Sequence, residues 1–432
     1  MVASALPAQV QDFGTKKVGD VVTFHVPPNT GSITIVHQAQ LANLTVVYQN
    51  ALIDNSAVPL TITKPDGGLA YDDANPGPAY QPSPDGGLDP SGEYAFYAGG
   101  TPSTAAFTIP NTTASLSEGV PPGDWKLVVN DYANECTFLT GCSDGGTSAN
   151  QYGISVLTRP LPQGSTLNAS FYIVADLTST TGTPLDATNA STDPAVKRMV
   201  QAYKDIFSAA GINASATFYY ARQSDRQRFG TNINADLTGP CDELSQMFTL
   251  SKEHPGNSMN VFLVNSLRSA SHNGTQVVGI DGTIPGPSSY NGTVHSGAVV
   301  SAADLFSGWP QACPATGTDI QHCGPDRIAY IAAHESGHFL GLVHTTEAEG
   351  TNFDPLSDTA KCPCLSCAAA ADRATCTSNS PTASLFNNLC SGSPAGCGGG
   401  DNLMFWFLQA GYSKGIISPQ QAQVMRLNPL VQ

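Results

Sequence analysis

Between His334 and His344 the chain reads His-Glu-Ser-Gly-His-Phe-Leu-Gly-Leu-Val-His. Three imidazoles and a carboxylate at this spacing can build a metal site with a base beside it. On a helix, His334 and His338 leave the same face, one turn apart. Glu335, one step round, can hold a water against the metal without ligating it. Gly341 lets the chain leave the helix through a left-handed conformation that a Cβ resists, which brings His344 back as the third ligand. Three protein nitrogens suit a catalytic zinc, whose fourth position stays open to water. The competing scheme takes its third ligand from a distant glutamate. It has no candidate here, because Glu347 and Glu349 are the only glutamates after His338 and lie too close to arrive on another helix.

The full string His-Glu-x-x-His-x-x-Gly-x-x-His resembles the signature of the metzincin zinc endopeptidases. The resemblance implies a methionine turn beneath the metal, and Asp401-Asn402-Leu403-Met404-Phe405-Trp406 fits it. It also implies a closing helix, for which Ser418-Pro419 is a good start. Asp354-Pro355-Leu356-Ser357-Asp358-Thr359 is similar to the acidic stretch of the pappalysin-like branch. Relatives carry Tyr two residues after the turn methionine, where it is thought to help stabilise the oxyanion. Trp406 stands there instead, and Tyr412 is the candidate substitute. Carboxylates suit calcium, so Asp354 and Asp358 read either as a calcium site or as a solvated acidic loop. The implied activity is zinc-dependent hydrolysis of peptide bonds in protein or peptide substrates, with Glu335 as general base. The alternative is a non-catalytic adhesin on the same fold.

Composition limits the setting. The chain has 432 residues and a formal charge of −16, with 12% charged residues, against roughly 25% in ordinary soluble proteins. Such acidity argues against nucleic acid or an anionic membrane surface as partner, and no apolar run is long enough to span a bilayer. Eleven cysteines, six of them between Cys362 and Cys397, point to disulfides and a secreted or cell-surface setting. Cys313 with Cys323 and Cys136 with Cys142 can pair locally. A second metal site at Cys362, Cys364 and Cys367 is the sharper alternative. The N-terminus lacks the basic and apolar regions of a signal peptide.

The elements that must position the site fall in two parts. Residues 1–160 alternate in short runs such as Val21–Val26, Ser32–Val36, Leu44–Tyr48 and Trp125–Val129, broken by turns at Pro65–Gly68 and Pro84–Gly87. They read as an all-β sandwich or jelly roll without a helix, serving as a pro-domain or as an accessory domain that binds substrate or surface glycans. Arg159–Gly164 reads as a linker. Residues 165–432 read as an α+β metzincin-like catalytic domain: a twisted mixed sheet, a zinc helix from Pro325 to Leu340, the methionine turn, and a cysteine-rich insertion at 360–400. Asp193-Pro194 opens an earlier helix, and another covers Asp242 to His254. By the resemblance, Gly297–Val300 is the edge strand that aligns substrate backbone.

Overall fold

The computed structural model describes residues 7–39, 51–72, 90, 92–97, 104–137, 141–144, 151–236, 242–269, 276–369, 375–376, 385–391 and 397–432; side chains of 51–60 and 131–144 are not part of that description. The expected strand at Leu44–Tyr48 and turn at Pro84–Gly87 lie outside the described residues. The chain is a mixed α/β protein with several sheets.

The N-terminal part holds β1 (Gln9–Lys17), β2 (Val21–Val26), β3 (Thr30–Ala39), β4 (Ala51–Thr63), β5 (Leu69–Asp72), β6 (Thr104–Ile109), α1 (Thr113–Glu118), β7 (Gly123–Thr137), β8 (Gly141–Asp144) and β9 (Gln151–Pro160). One sheet runs β1-β9-β3-β6 and the other β2-β7-β4-β5, with β8 on β7. All their pairings are antiparallel. The alternation in β2 turns Val22, Phe24 and Val26 inward. They join Trp125 and Leu127 of β7 and Ile33, Ile35, Phe107, Ile154 and Val156 of the other sheet in one apolar cluster. Burial of aromatic faces dominates it: Trp125 is fully buried, stacks near Phe24, and gives its indole N–H to the Pro121 carbonyl. α1 departs from the expectation of no helix here. Thr112 and Ser115 form a capping box that closes its first turn, a local bond pattern that the surrounding β periodicity hides.

The C-terminal part holds β10 (Thr166–Ile173), α2 (Pro194–Ala209), β11 (Asn213–Tyr220), α3 (Gln223–Phe229), β12 (Asn232–Asn234), α4 (Glu243–Phe248), β13 (Met259–Val264), β14 (Ser266–Arg268), β15 (Gly279–Asp281), β16 (Ala298–Ser301), α5 (Gly324–Phe339), α6 (Cys364–Cys367), α7 (Asn387–Cys390) and α8 (Pro419–Leu427). Its main sheet has the order β11-β10-β13-β16-β15. Four strands are parallel and β15 is antiparallel at one edge. Gly297–Val300 is therefore not the edge expected from sequence: β16 lies between β13 and β15, all its residues are buried, and Gly279–Asp281 takes the edge instead. Asp193 caps α2 through the Ala195 and Val196 N–H groups. α2 lays Val196, Met199, Tyr203 and Phe207 against Phe171 and α5 in the largest core cluster. The expected helix at Asp242–His254 is α4 followed by a 3₁₀ turn at Thr249–Glu253.

The expected linker is pinned at its two ends: Arg159 and Gly164 are buried, while Leu161 and Pro162 between them are exposed. β9 runs on to Pro160, and Arg159 is 1% exposed. Its guanidinium donates to the carbonyls of Val431, Pro160 and Pro162. A proline-rich stretch reads as a spacer because proline cannot continue a ladder, but here its own carbonyls at Pro160 and Pro162, with that of Val431, hold Arg159.

Candidate metal centre

α5 carries the first part of the motif. Asp326 in its first turn accepts the Arg198 fork at 2.6 and 2.7 Å and the Asp319 N–H at 2.7 Å, so a buried carboxylate at the helix's positive end is paired as burial requires. Fourteen of its residues are buried. Tyr203 of α2 meets Ser336 at 3.0 Å on the face away from the histidines, which fixes the helix rotation. The helix ends at Leu340, and Gly341 takes φ +106°, where the nearest atoms to an added Cβ lie 3.5 Å away. Backbone conformation, not space, demands glycine there.

The three imidazoles converge. His338 Nε2 lies 3.2 Å from His334 Nε2 and 3.1 Å from His344 Nε2. Each ring's other nitrogen has an acceptor: His334 Nδ1 the Leu403 carbonyl at 2.7 Å, His338 Nδ1 the Leu342 carbonyl at 2.7 Å, and His344 Nδ1 the Glu347 carboxylate at 3.0 Å. Those bonds place the proton on Nδ1 and leave a lone pair on every Nε2. Burial pushes the His334 pKa down to about 3 and holds His338 well below the ordinary range, so both rings are neutral. Three facing lone pairs repel unless a cation lies between them. Nitrogens about 2.05 Å from a tetrahedral zinc are about 3.3 Å apart, close to the spacing found. The donor set fits zinc, and the three residues can hold a metal ion.

Glu335 is buried beside them, and burial and the nearby charge of Asp281 raise its pKa well above the ordinary carboxyl range. β15 crosses α5 so closely that a Cβ on Gly279 would lie 2.5 Å from Glu335 Oε1. Asp281, two residues on, is buried; burial pushes its pKa up to about 7 against the lowering effect of His344, and its Oδ2 has no hydrogen-bond partner.

The turn at Asp401–Trp406 ties the two ends of the motif together. Leu403 accepts from His334, and the Met404 carbonyl accepts the Thr345 N–H, next to His344. Met404 is fully buried, and an added Cβ on Gly337 would lie 2.6 Å from its sulfur. The turn itself is held by Asn402, which bonds the Met404 N–H and exchanges two bonds with Gln421 of α8. Trp406 gives its single N–H to the Leu385 carbonyl at 2.7 Å and packs against the cysteine-rich segment. Tyr412 stands in an exposed turn. Asp354 is engaged by Lys361 and by Thr359 at 2.6 Å. Asp358 caps α8, accepting from the Ser418 hydroxyl and the Gln420 N–H. Both carboxylates thus have structural partners where calcium was one expectation. Sequence reasoning overlooked Glu347 and Asp281. The first sits three residues beyond a ligand histidine, which is a readable signal; the second reaches the site only through the sheet.

Cys313–Cys323, Cys362–Cys397 and Cys364–Cys376 are disulfides. Cys364 is thereby taken from the expected second metal site, while Cys362 and Cys367 lie with Cys390 and Cys397 in a group whose sulfurs are close enough together to hold a metal ion. The backbones of Cys136 and Cys142 are register partners across β7 and β8.

No family model matches the chain, and no curated protein does. Among solved structures, the archaemetzincin of Methanopyrus kandleri aligns at 16% identity over 44% of this chain and 81% of its own, with a TM-score of 0.28. A family two carbohydrate esterase from Clostridium thermocellum aligns at 10% identity over 60% and 65%, with a TM-score of 0.13. The catalytic domain of a GH87 alpha-1,3-glucanase aligns at 11% identity over 62% and 47%, with a TM-score of 0.17. At these scores none of the three assigns a fold or an activity.

Proposed function

We propose that the chain is a zinc-dependent endopeptidase of the metzincin type, acting outside the cell on protein or peptide substrates. The observation that carries it is the convergence of three lone-pair-bearing Nε2 atoms, with the buried Glu335 carboxyl next in the chain. A zinc ion bound there supplies Lewis acidity toward a carbonyl oxygen and lowers the pKa of a water. Glu335 accepts the proton of the attacking water and delivers it to the leaving amine, a task for which a raised carboxyl pKa is suited. Gly279 leaves room for that carboxyl, and the surrounding burial excludes bulk water. The antiparallel edge at Gly279–Asp281 aligns the substrate strand by backbone pairing. Met404 supports the ligand histidines and takes no proton.

Residues 1–160 act as an accessory domain and 165–432 as the catalytic one. The accessory reading is favoured over a pro-domain by where the two parts meet. Thr113 bonds Gln420, Ser357 and the Pro355 carbonyl, and Ser32 bonds the Leu427 carbonyl; these contacts lie on α8 and the acidic loop, not on the histidines. The extracellular setting is supported by the disulfides, and no helix among the described residues is long and apolar enough to cross a membrane. The pappalysin-like branch rests on the Asp354–Thr359 stretch and on the glutamine-rich closing helix that ends in Met425-Arg426.

Metal analysis and a peptide-library digest test the proposal. We expect one zinc per chain, cleavage abolished by a chelator, and Glu335→Gln retaining zinc while losing at least a hundredfold in turnover. Normal cleavage by Glu335→Gln refutes it.

A further inference from the structure

We propose that Asp281 is the specificity-determining residue of this site, its carboxylate seating an ammonium group that the substrate carries beside the scissile bond. The inference rests on the peptidase function proposed above and names a substrate class for it.

The argument begins with strand geometry. Successive side chains on a strand alternate between faces, so Asp281 shares the face of Gly279, the residue whose backbone lies against Glu335. Ile280 points the other way, into the cluster with Phe248 and Phe262. Asp281 therefore projects toward α5, within electrostatic reach of Glu335 and His344. It is 8% exposed, and its Oδ2 has no hydrogen-bond partner.

A buried carboxyl oxygen without a hydrogen-bond donor is costly. The ion pairs near the site go elsewhere: Arg198 to Asp326, Arg226 to Asp176, Arg327 to Asp304 and Lys361 to Asp354. Sharing a proton with Glu335 would give Oδ2 a partner, and it has none. Oδ2 still lacks a donor, and an ammonium from outside the chain supplies one together with a charge. Among the described residues the strand that carries Asp281 is the edge of the sheet, where substrate backbone would pair, so that ammonium arrives with the substrate. Two sources share the chemistry: the α-ammonium of a peptide's first residue, or a lysine side chain. An α-ammonium would make the enzyme trim N-termini.

Binding separates this from the catalytic proposal. Zinc-loaded Glu335→Gln protein, with Asp281 intact or changed to Asn, is titrated calorimetrically with leucinamide, N-acetyl-leucinamide and N-acetyl-lysinamide. We expect one of the two ammonium compounds to bind at least tenfold more tightly than N-acetyl-leucinamide, and Asp281→Asn to erase the difference without changing zinc content. Leucinamide as the tighter ligand identifies an α-amine; N-acetyl-lysinamide identifies a side chain. Equal binding of all three overturns the proposal, as does a preference that survives Asp281→Asn. So does a second metal ion per chain that Asp281→Asn removes. A library digest by the active enzyme is the separate arm: no cleavage there refutes the peptidase function, while cleavage with no ammonium preference and no change in Asp281→Asn refutes only the role of Asp281.

Discussion

Glu347 offers the sharpest test of how the metal centre is built. Two ligand histidines are oriented by main-chain carbonyls, which no side-chain substitution removes. His344 alone is oriented by a side chain, the Glu347 carboxylate at 3.0 Å. Losing a partner of this kind typically costs tenfold to a hundredfold in metal affinity. Here the carboxylate side chain is 42% exposed and that of His344 is 23% exposed, so solvent screens the interaction and water can replace it. The lower end applies: Glu347→Ala should weaken zinc about tenfold, about 1.4 kcal/mol. Glu347→Gln keeps a carbonyl that can accept the Nδ1 proton but not the charge, and should lose about threefold. Competition against a chromophoric chelator at neutral pH measures both. A zinc affinity for Glu347→Ala within twofold of the parent refutes the reasoning, and so does a Gln variant weaker than the Ala variant.

Two further outcomes follow from packing and burial. Gly337→Ala places a Cβ 2.6 Å from the fully buried Met404 sulfur, an overpacking worth about 1–3 kcal/mol, partly offset by up to about 1 kcal/mol of helix propensity. Thermal unfolding should show a net loss, and Met404→Ala in the same chain should cost less than it does alone; additive losses would disprove the contact. Asp354 has its pKa raised to about 6 by burial, which outweighs the pairing with Lys361. The folded chain therefore holds this proton between pH 4 and 6 while the unfolded chain releases it, so stability from this group is lost as pH rises through that window, by about 3 kcal/mol in all. In zinc-free protein, the unfolding free energy of Asp354→Asn minus that of the parent should rise between pH 4 and pH 6. Parallel pH curves for the two proteins would count against it.

What the sequence made legible follows the range of the interactions involved. The helix of His334 and His338, the glycine exit at Gly341 and the start of α8 at Ser418 are set by neighbours within a turn or two, and all are readable as spacing. α1 escaped because its capping box, Thr112 with Ser115, carries a weaker compositional mark than the β alternation around it. Gly297–Val300 was misplaced for a different reason. Two adjacent strands in one sheet both look apolar and short, and only the crossing order decides which becomes the edge. That order also decides which carboxylate meets Glu335. Asp281 is about fifty residues from the motif in sequence and has no periodic signal of its own, yet the antiparallel pairing of β15 sets it on the face turned toward α5. The histidines announce a metal, since their chemistry is local. Selectivity at such a site comes from whatever side chains the sheet edge delivers to it, and a glycine close enough to touch the Glu335 carboxyl, followed two residues later by a buried acid, is a pairing that only the folded chain displays.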